Sequence, residues 1–361
     1  MIRAIAIVAV LAGIARADGE VSVRGVYYKE HATRVEQPMI DARFDAGDGG
    51  SVDAHFLVDA ITSASPGSGA ANMPFTEKRY ELGGGFTQQL EDHPIRWGVL
   101  ARASVEPDYE SGFFGGRFEH DFADKNFTFA LAGGIGYDHI TNAGAQFAGP
   151  GFTAISEHLS NTLLSGSITQ VLGKNTVGSL TYDFAYFWGY LANPYRTVIT
   201  ADAGLVPERM PDYRARHAFA GIVRHFLPST ATTLIAAYRL YTDDWGMLSH
   251  TPEVRVVQAA GDDLEVGLGF RYYHQSGASF FKPVYPTVQP QFEPYLTDDP
   301  KLSPFDGETI TARFAVLGRA FGFEGNWGDA RAEVIVEYVV QHNRFGNAGI
   351  GHVALTVPFS D

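Results

Sequence analysis

The chain has 361 residues, 40 of them Gly and none Cys, with 13% aromatic and 19% charged side chains. Without Cys, the sequence excludes thiol catalysis, disulfide bonds, iron–sulfur clusters and Cys-ligated zinc. The formal net charge of −14 argues against nucleic acid as a partner, because phosphate backbones bind basic surfaces. A mean hydropathy of −0.07 excludes a helical membrane protein, whereas the low charge and high Gly and aromatic content favour a β-rich chain.

Residues 1–17 have the pattern of a cleaved secretory signal peptide. Arg3 supplies the positive charge, residues 4–14 form an apolar run that is too short to span a bilayer, and residues 15–17 (ARA) form a small-x-small cleavage site. We therefore expect an exported protein whose mature domain is residues 18–361. Because Cys is absent, the sequence excludes a lipid anchor on a Cys after the leader.

The rest of the chain alternates polar and apolar residues with a period of two. In residues 263–275, one set of alternate positions is polar or Gly, and the other runs from Leu264 through Leu268 to Tyr272. Successive side chains of a strand point to opposite faces, so such a segment has one polar and one apolar face. The same pattern occurs in residues 95–106, 308–321 and 330–342.

Two architectures have strands that alternate polar and apolar residues in this way, a soluble β-sandwich and a transmembrane β-barrel. The segments are about 10–14 residues long, which suits tilted spanning strands. Arg and acidic residues share the polar positions, as in barrels that are apolar outside and polar inside. We expect an all-β fold, a transmembrane antiparallel barrel of about 16 strands. The predicted strands are residues 20–29, 37–46, 50–62, 78–90, 95–106, 111–122, 126–139, 161–172, 175–188, 213–227, 230–243, 248–259, 263–276, 307–321, 329–342 and 350–359.

The connections alternate between short turns and long loops. Short Gly-, Asp- and Pro-containing turns fall at residues 47–49, 92–94, 124–125, 173–175, 228–229 and 261–262, and long loops at 63–77, 141–160, 189–212 and 277–306. In outer-membrane barrels the short turns face the periplasm and the long loops face outside. We therefore expect both termini in the periplasm, a bacterial outer-membrane location, and membrane lipid as a partner.

The last predicted strand and the aromatic residues add two weaker signals. Residues 352–359 place Val353, Leu355, Val357 and Phe359 on one face, similar to the strand that the barrel-assembly machinery recognises, although Ser360 and Asp361 follow the Phe. Aromatic residues near strand ends are typical of interfacial girdles, and strand propensity alone also explains them. They are Tyr27, Trp97, Tyr137, Tyr186, Trp188, Tyr238, Trp245 and Tyr272.

Seven motifs in order resemble one bacterial family. They are VDAITSASP at 58–66, SVEPDYES at 104–111, KN at 125–126, NPYR at 193–196, YRLYTDDW at 238–245, RYYHQ at 271–275 and DPKLSPF at 299–305. The chain resembles domain-of-unknown-function family 3570, of predicted outer-membrane proteins. The resemblance implies a barrel without an assigned activity and supplies no catalytic residues. The resemblance also implies that the protein is encoded near periplasmic flavin-attachment and thioredoxin-like proteins. This points to a periplasmic redox partner.

The polar positions predict a charged lumen. Arg102, Arg216, Arg239 and Arg271 fall toward the outer half, where a positive stretch favours anions in a pore. The alternative is cross-strand salt bridging with Glu106, Asp243 and their neighbours. A small solute or ion is the partner that the first interpretation implies. The candidate pore-lining residues are Arg102, Arg117, Glu119, Arg216, Arg239, Arg271, Arg313 and Glu337.

Signals for catalysis or metal binding are weak. The acidic groups Asp243-Asp244, Asp298-Asp299 and Asp108/Glu110 lack the spacing of a calcium loop, so we interpret them as solvated loop acids. Twelve His residues show no metal-ligand spacing, and His217 and His225 fall on the lipid side. For a hydrolase, only two pairs merit a test: His250 beside Ser249, and His274 with Asp243.

The sequence thus predicts a channel or envelope transport component that is not an enzyme and uses neither cofactor nor metal. One alternative is a non-conducting scaffold or docking barrel for a flavin- or thioredoxin-linked redox system outside the cytoplasm. An outer-membrane hydrolase is the third reading.

Overall fold

The computed structural model describes residues 18–31, 33–63, 75–142 and 154–360. The predicted leader (residues 1–17), most of the predicted loop at 63–77 and the middle of the loop at 141–160 lie outside these ranges. The end of the first motif, residues 64–66, lies outside them too. No helix among the described residues is long and apolar enough to cross a membrane.

Sixteen antiparallel strands form one closed barrel, and β1 pairs with β18 to close it. This confirms the predicted fold class and strand number. Two further strands, β10 (Thr197–Thr200) and β11 (Gly204–Pro207), form a separate hairpin. The barrel strands are β1 (Gly19–Lys29), β2 (Thr33–Asp45), β3 (Gly50–Ser63), β4 (Phe75–Gln89), β5 (Ile95–Val105), β6 (Tyr109–Phe122), β7 (Phe127–Thr141), β8 (Ser156–Gly173), β9 (Thr176–Gly189), β12 (Tyr213–Leu227), β13 (Thr232–Asp243), β14 (Leu248–Ala259), β15 (Leu264–Gln275), β16 (Phe305–Leu317), β17 (Arg331–Gln341) and β18 (Ala348–Phe359).

Three predicted boundaries differ from the structure by four residues or more. β2 begins at Thr33 and not at 37. β8 begins at Ser156 and not at 161, because its polar first residues continue the pairing with β7 although they show little apolar alternation. β16 ends at Leu317, whereas alternation predicted a strand to 321. The chain turns at Gly318, where a Cβ atom would lie 1.8 Å from the Trp327 carbonyl oxygen. A 3₁₀-helix, η2 (Gly318–Phe321), and a short helix, α1 (Gly325–Asp329), fill this connection.

The two ends of the barrel differ in their connections. At the end that carries the termini, six connections are short turns, and residues 318–330 are the exception. The opposite end, called the mouth below, carries the long connections 190–212 and 276–304. It also has the tight turns 106–108 and 244–247, so the mouth connections are not uniformly long as predicted. Another 3₁₀-helix, η1 (Pro300–Leu302), lies in the second long connection.

Alternate residues divide the wall into an outer apolar face and an inner polar face. Leu268, on the outer face, keeps 64% of its surface exposed. The opposite face encloses a cavity of about 660 Å³ lined by charged residues such as Arg24, Asp41 and Glu81. Exposed apolar side chains on a closed barrel are what lipid contact requires. Accordingly, the two clusters of buried apolar side chains among the described residues lie at the mouth and not among the barrel strands.

Candidate functional site

The two long connections at the mouth pack against each other. Val198 of the β10–β11 hairpin forms a buried apolar cluster with Tyr285 and Leu296 of the other connection. Backbone bridges join Thr200 to Tyr285 and Arg209 to Leu296. Sequence patterning missed the hairpin because its strands are only four residues long. We call residues 190–212 and 276–304 together the mouth loops.

A buried polar network holds the mouth loops together. The Glu208 carboxylate accepts hydrogen bonds from Asn193 N (2.6 Å), Arg196 Nη1 (3.2 Å) and Thr297 Oγ1 (2.6 Å). Arg196 also pairs with Asp299 at 2.6 Å. Burial raises the pKa of Glu208, although Arg196 opposes this shift. Burial would lower the pKa of Arg196, but the Glu208 and Asp299 carboxylates raise it above its ordinary value, so the cation is firmly held.

Further side chains fasten the mouth loops to the barrel rim. The Tyr195 hydroxyl donates to the Asp108 carboxylate in the turn between β5 and β6. Gln275, the last residue of β15, donates from Nε2 to the carbonyl oxygens of Lys301 (2.9 Å) and Ser303 (2.6 Å). Arg344 donates to the Asp298 carbonyl at 2.5 Å. These contacts therefore hold the mouth loops in a fixed position on the barrel rim.

The turn between β13 and β14 is organised around one buried carboxylate. Asp243 accepts from Arg214 Nε (2.9 Å) and Nη2 (2.5 Å), from the Tyr241 hydroxyl (2.7 Å), and from the backbone N–H groups of Trp245 (3.1 Å) and Met247 (2.9 Å). The Arg214 guanidinium also lies 4.1 Å from the centre of a Trp245 ring. Trp245 is buried in an apolar cluster with mouth-loop residues, so its predicted place in an interfacial girdle is wrong.

Five of the sequence motifs meet in this network. NPYR supplies Tyr195 and Arg196, SVEPDYES supplies Asp108, and DPKLSPF supplies Asp299. RYYHQ contributes the Gln275 contacts, and YRLYTDDW forms the Asp243 turn. The motifs thus build the mouth of the barrel. The occurrence of these motifs in the connections at one end of the barrel was the sequence signal that could have indicated this network.

The prediction that the loop acids are solvated is wrong for four of the six, whereas Glu110 and Asp244 are exposed as predicted. Asp108, Asp243 and Asp298 are all buried, and Asp299 is paired with Arg196. The interpretation failed because acidic doublets in polar connections look alike whether they face water or an Arg on a distant segment.

The mouth loops and the wall of β9, β12, β13 and β14 enclose a cavity of about 680 Å³. Its lining includes the apolar residues Phe187, Leu191 and Trp245. It also includes the cations Arg216 and Arg239. Arg216 Nε is buried and has no hydrogen-bond partner, and its guanidinium lies 4.5 Å from the centre of the Phe187 ring. The cavity therefore combines a hydrocarbon-like wall with an unsatisfied cationic donor.

All eight candidate pore-lining residues lie on the inner face, as the register of the neighbouring strands places them. Four take part in cross-strand polar pairs. Glu119 pairs with Arg96 at 2.7 Å, and Arg313 pairs with Glu333 at 2.5 Å. The other two contacts of this kind are Arg102–Glu81 at 3.8 Å and Glu337–Thr311 at 2.9 Å.

The remaining four are arginines without a carboxylate within 4.0 Å in the described part of the chain. Arg117 donates to Thr87 Oγ1 (2.6 Å) and Arg271 to Thr309 Oγ1 (3.3 Å). Arg216 and Arg239 line the mouth cavity. The inner face thus carries both paired charges and arginines without a carboxylate partner, and whether any of them lines a pore stays a prediction.

The two candidate hydrolase pairs are not brought together. The register places Ser249 and Asp243 on the inner face, whereas His250 and His274 lie on the outer face. His274 pairs instead with Asp306 at 2.7 Å, and His250 Nδ1 shares a hydrogen bond with the Tyr238 hydroxyl. These two pairs are therefore wrong as catalytic arrangements.

His217 and His225 lie on the outer face, as their positions in the alternation predicted. Tyr182 and Thr176 of the adjacent β9 hydrogen-bond to their Nδ1 atoms, both at 2.8 Å. A polar group on the lipid side is thus satisfied by its neighbour across the strand pair.

Three carboxylates converge at the rim beside Tyr195. Oxygens of Glu77, Glu106 and Asp108 all lie within 4.8 Å of one another. Burial raises the pKa of Glu106, Arg79 opposes the shift, and the Asp108 and Asp59 carboxylates reinforce it. Oxygen clusters of this kind suit hard cations, but the hydrogen bond from Tyr195 already uses one Asp108 oxygen.

The model of the family "Protein of unknown function (DUF3570)" matches residues 70–317, and the chain belongs to this family. No curated protein sequence matches the chain. Among solved structures, a bacterial polysaccharide outer membrane secretin has 8% identity and a TM-score of 0.55, covering 94% of this chain and 98% of its own.

CdiB from Acinetobacter baumannii has 6% identity and a TM-score of 0.52, with 94% and 60% covered. A BenF-like porin from Pseudomonas fluorescens Pf-5 has 11% identity and a TM-score of 0.46, with 96% and 99% covered. At these identities the similarity concerns the fold alone, which is that of outer-membrane barrels.

Proposed function

We propose that this DUF3570 member is a passive outer-membrane channel for small hydrophilic solutes, with a preference for anions set at the mouth. The observation that carries the proposal is the exposure of charged side chains inside a closed barrel. Arg24, Arg96 and Arg102 face the interior, and their side chains keep 44%, 44% and 57% of their surface exposed. Each of the three has a carboxylate partner and still keeps much of its surface exposed, so these side chains support a water-filled lumen and not a dry, close-packed interior.

The preference for anions rests on the position of the unpaired cations. The mouth loops narrow the path on the side of β9 and β12–β16, and Arg216, Arg239 and Arg271 lie on that wall. A ring or stretch of cations at a constriction raises the local concentration of anions. Elsewhere on the inner face, pairs such as Arg313–Glu333 cancel their own fields.

Single-channel recording in a planar bilayer tests this proposal directly, with heat-modifiable gel migration as the check of folding. We expect discrete conductance steps and, in a salt gradient, a reversal potential of the sign for anion preference. The double variant Arg239→Gln/Arg271→Gln should move the reversal potential toward zero, whereas Arg313→Gln, in a paired cluster, should change it less. A folded barrel without conductance would overturn the proposal and favour a docking role.

A further inference from the structure

We propose that the cavity at the mouth binds a small amphipathic organic anion, a carboxylate attached to an apolar or aromatic body. This inference rests on the proposed function for its role in passage, because it names the class of solute that enters.

The unsatisfied donor is Arg216. Its Nε is buried without a hydrogen-bond partner, although guanidinium groups in proteins normally use most of their donors. Stacking on Phe187 restricts the plane of the guanidinium, so the fork of donors is held in one orientation. A carboxylate in the cavity fits the guanidinium of Arg216, which lines the cavity and has no carboxylate within 4.0 Å in the described residues.

The charge around Arg216 also favours an anion. Arg239 and Lys301 line the same cavity, and neither has a carboxylate within 4.0 Å in the described residues. Of the acids that line the cavity, Asp299 is already paired with Arg196, and Asp183 accepts a hydrogen bond from Ser165. The local balance is therefore positive, although the chain as a whole is acidic.

The apolar wall selects against strongly hydrated anions. Leu191, Met210, Trp245 and Leu302 line the cavity from the mouth loops and the β13–β14 turn. A volume of about 680 Å³ lies within the usual range of small-molecule sites, which combine apolar walls with a few fixed polar groups. Inorganic phosphate or sulfate would leave this wall without a partner, whereas an aromatic carboxylate uses both the wall and the cations.

The frame of the cavity is rigid. Leu302 lies in η1, and the N-cap residue of this helix, Asp299, accepts a hydrogen bond from Lys301 N at 2.9 Å. Gln275 donates to the carbonyl oxygens of Lys301 and Ser303. Trp245 Nε1 donates to the Tyr213 carbonyl at 2.9 Å, which fixes the indole. A site built on fixed groups loses little free energy to ordering when a ligand enters.

The experiment measures binding of benzoate through the fluorescence of Trp245. The chain has four Trp residues, so replacing the other three (Trp97, Trp188 and Trp327) by Phe leaves Trp245 as the only reporter. The full barrel is folded in detergent, and folding is checked by heat-modifiable migration. Acetate tests the contribution of the apolar body, benzyl alcohol tests the contribution of the charge, and inorganic phosphate tests for a nonspecific anion site.

We expect benzoate to change the fluorescence saturably and to bind about tenfold or more tightly than the three other probes. Arg216→Gln should weaken benzoate binding by about tenfold and leave benzyl alcohol unaffected. Arg224→Gln is the matched control, since Arg224 lies on the inner face of the same strand toward the other end of the barrel. Should Arg216→Gln fail to fold, Arg239→Gln replaces it, because Arg239 is exposed.

Equal binding of benzoate and benzyl alcohol, or an unchanged benzoate affinity in both Arg216→Gln and Arg239→Gln, would overturn the site. Conductance measured on the same preparations separates the two proposals. Channel steps without benzoate binding would retain the channel and remove the site. Saturable binding in a silent barrel would retain the site and remove the channel.

Discussion

Removing the Asp243 carboxylate should destabilise the barrel more than any other single change at the mouth. The side chain of Asp243 is 0% exposed and that of its partner Arg214 is 9% exposed. In Asp243→Ala, the guanidinium stays buried beside Trp245 without its counter-ion. The backbone N–H groups of Trp245 and Met247 also lose their acceptor.

The size of the loss follows from these partners. Breaking a buried ion pair by removing one member costs about 3–5 kcal/mol, since an uncompensated charge remains. In the double variant Arg214→Met/Asp243→Ala neither charge of the pair remains, and the two unsatisfied N–H groups, the Tyr241 hydroxyl without its acceptor and a small cavity are left. We therefore expect the double variant to lose about 1–3 kcal/mol, less than the single variant.

Urea unfolding of the barrel in lipid vesicles measures these losses, followed by Trp fluorescence and by gel mobility of unheated samples. Asp244→Ala is the matched control, because Asp244 is exposed in the same turn and should change the free energy of unfolding by less than about 0.5 kcal/mol. The reasoning is refuted if Asp243→Ala behaves like Asp244→Ala, or if the double variant is less stable than the single one.

Three further outcomes are expected. Leu268→Arg on the outer face should cost about 2–4 kcal/mol in urea unfolding, whereas Thr251→Arg on the inner face should cost less than about 1 kcal/mol; equal losses would contradict the face assignment. Because burial and neighbouring acids raise the pKa of Glu106, it gains its proton at a higher pH than an ordinary carboxyl. Acidification should therefore remove negative charge from the mouth and raise the anion-to-cation permeability ratio in reversal-potential measurements, and Glu106→Gln should show a smaller rise. Arg196→Met should leave Glu208 buried without a cation, loosen the mouth loops, and speed proteolysis within 276–304; unchanged protection would show that the network does not hold them.

The fold was predictable because alternation over a whole strand repeats one physical requirement. Each spanning strand must present apolar groups to lipid and can present polar groups to the lumen, so a period of two persists through β5, β15 and β17. The signal failed at Gly318, where the residues go on alternating although the chain has turned. A close backbone approach to Trp327 ends that strand, and this contact has no signature in the pattern.

Alternation along the strands also predicted that the candidate lumen residues lie on the inner face. It did not predict which side chains they contact there. Whether an inner Arg is paired depends on which side chains the neighbouring strands bring next to it. Arg313 meets Glu333, while Arg271 meets Thr309.

The mouth network was least predictable, and its physics explains why. In a barrel solvated by lipid, apolar side chains of the wall face outward, so they cannot form a core. A rigid mouth must then be built from the connections themselves, through short apolar contacts such as Val198 with Tyr285 and through buried ion pairs such as Arg196 with Glu208. Each pair joins residues in segments whose sequence looks like solvated loop. The acidic, polar composition that makes a connection look exposed is therefore also what allows it to fold over the mouth of the barrel, because a buried carboxylate there can be met by an Arg from another loop.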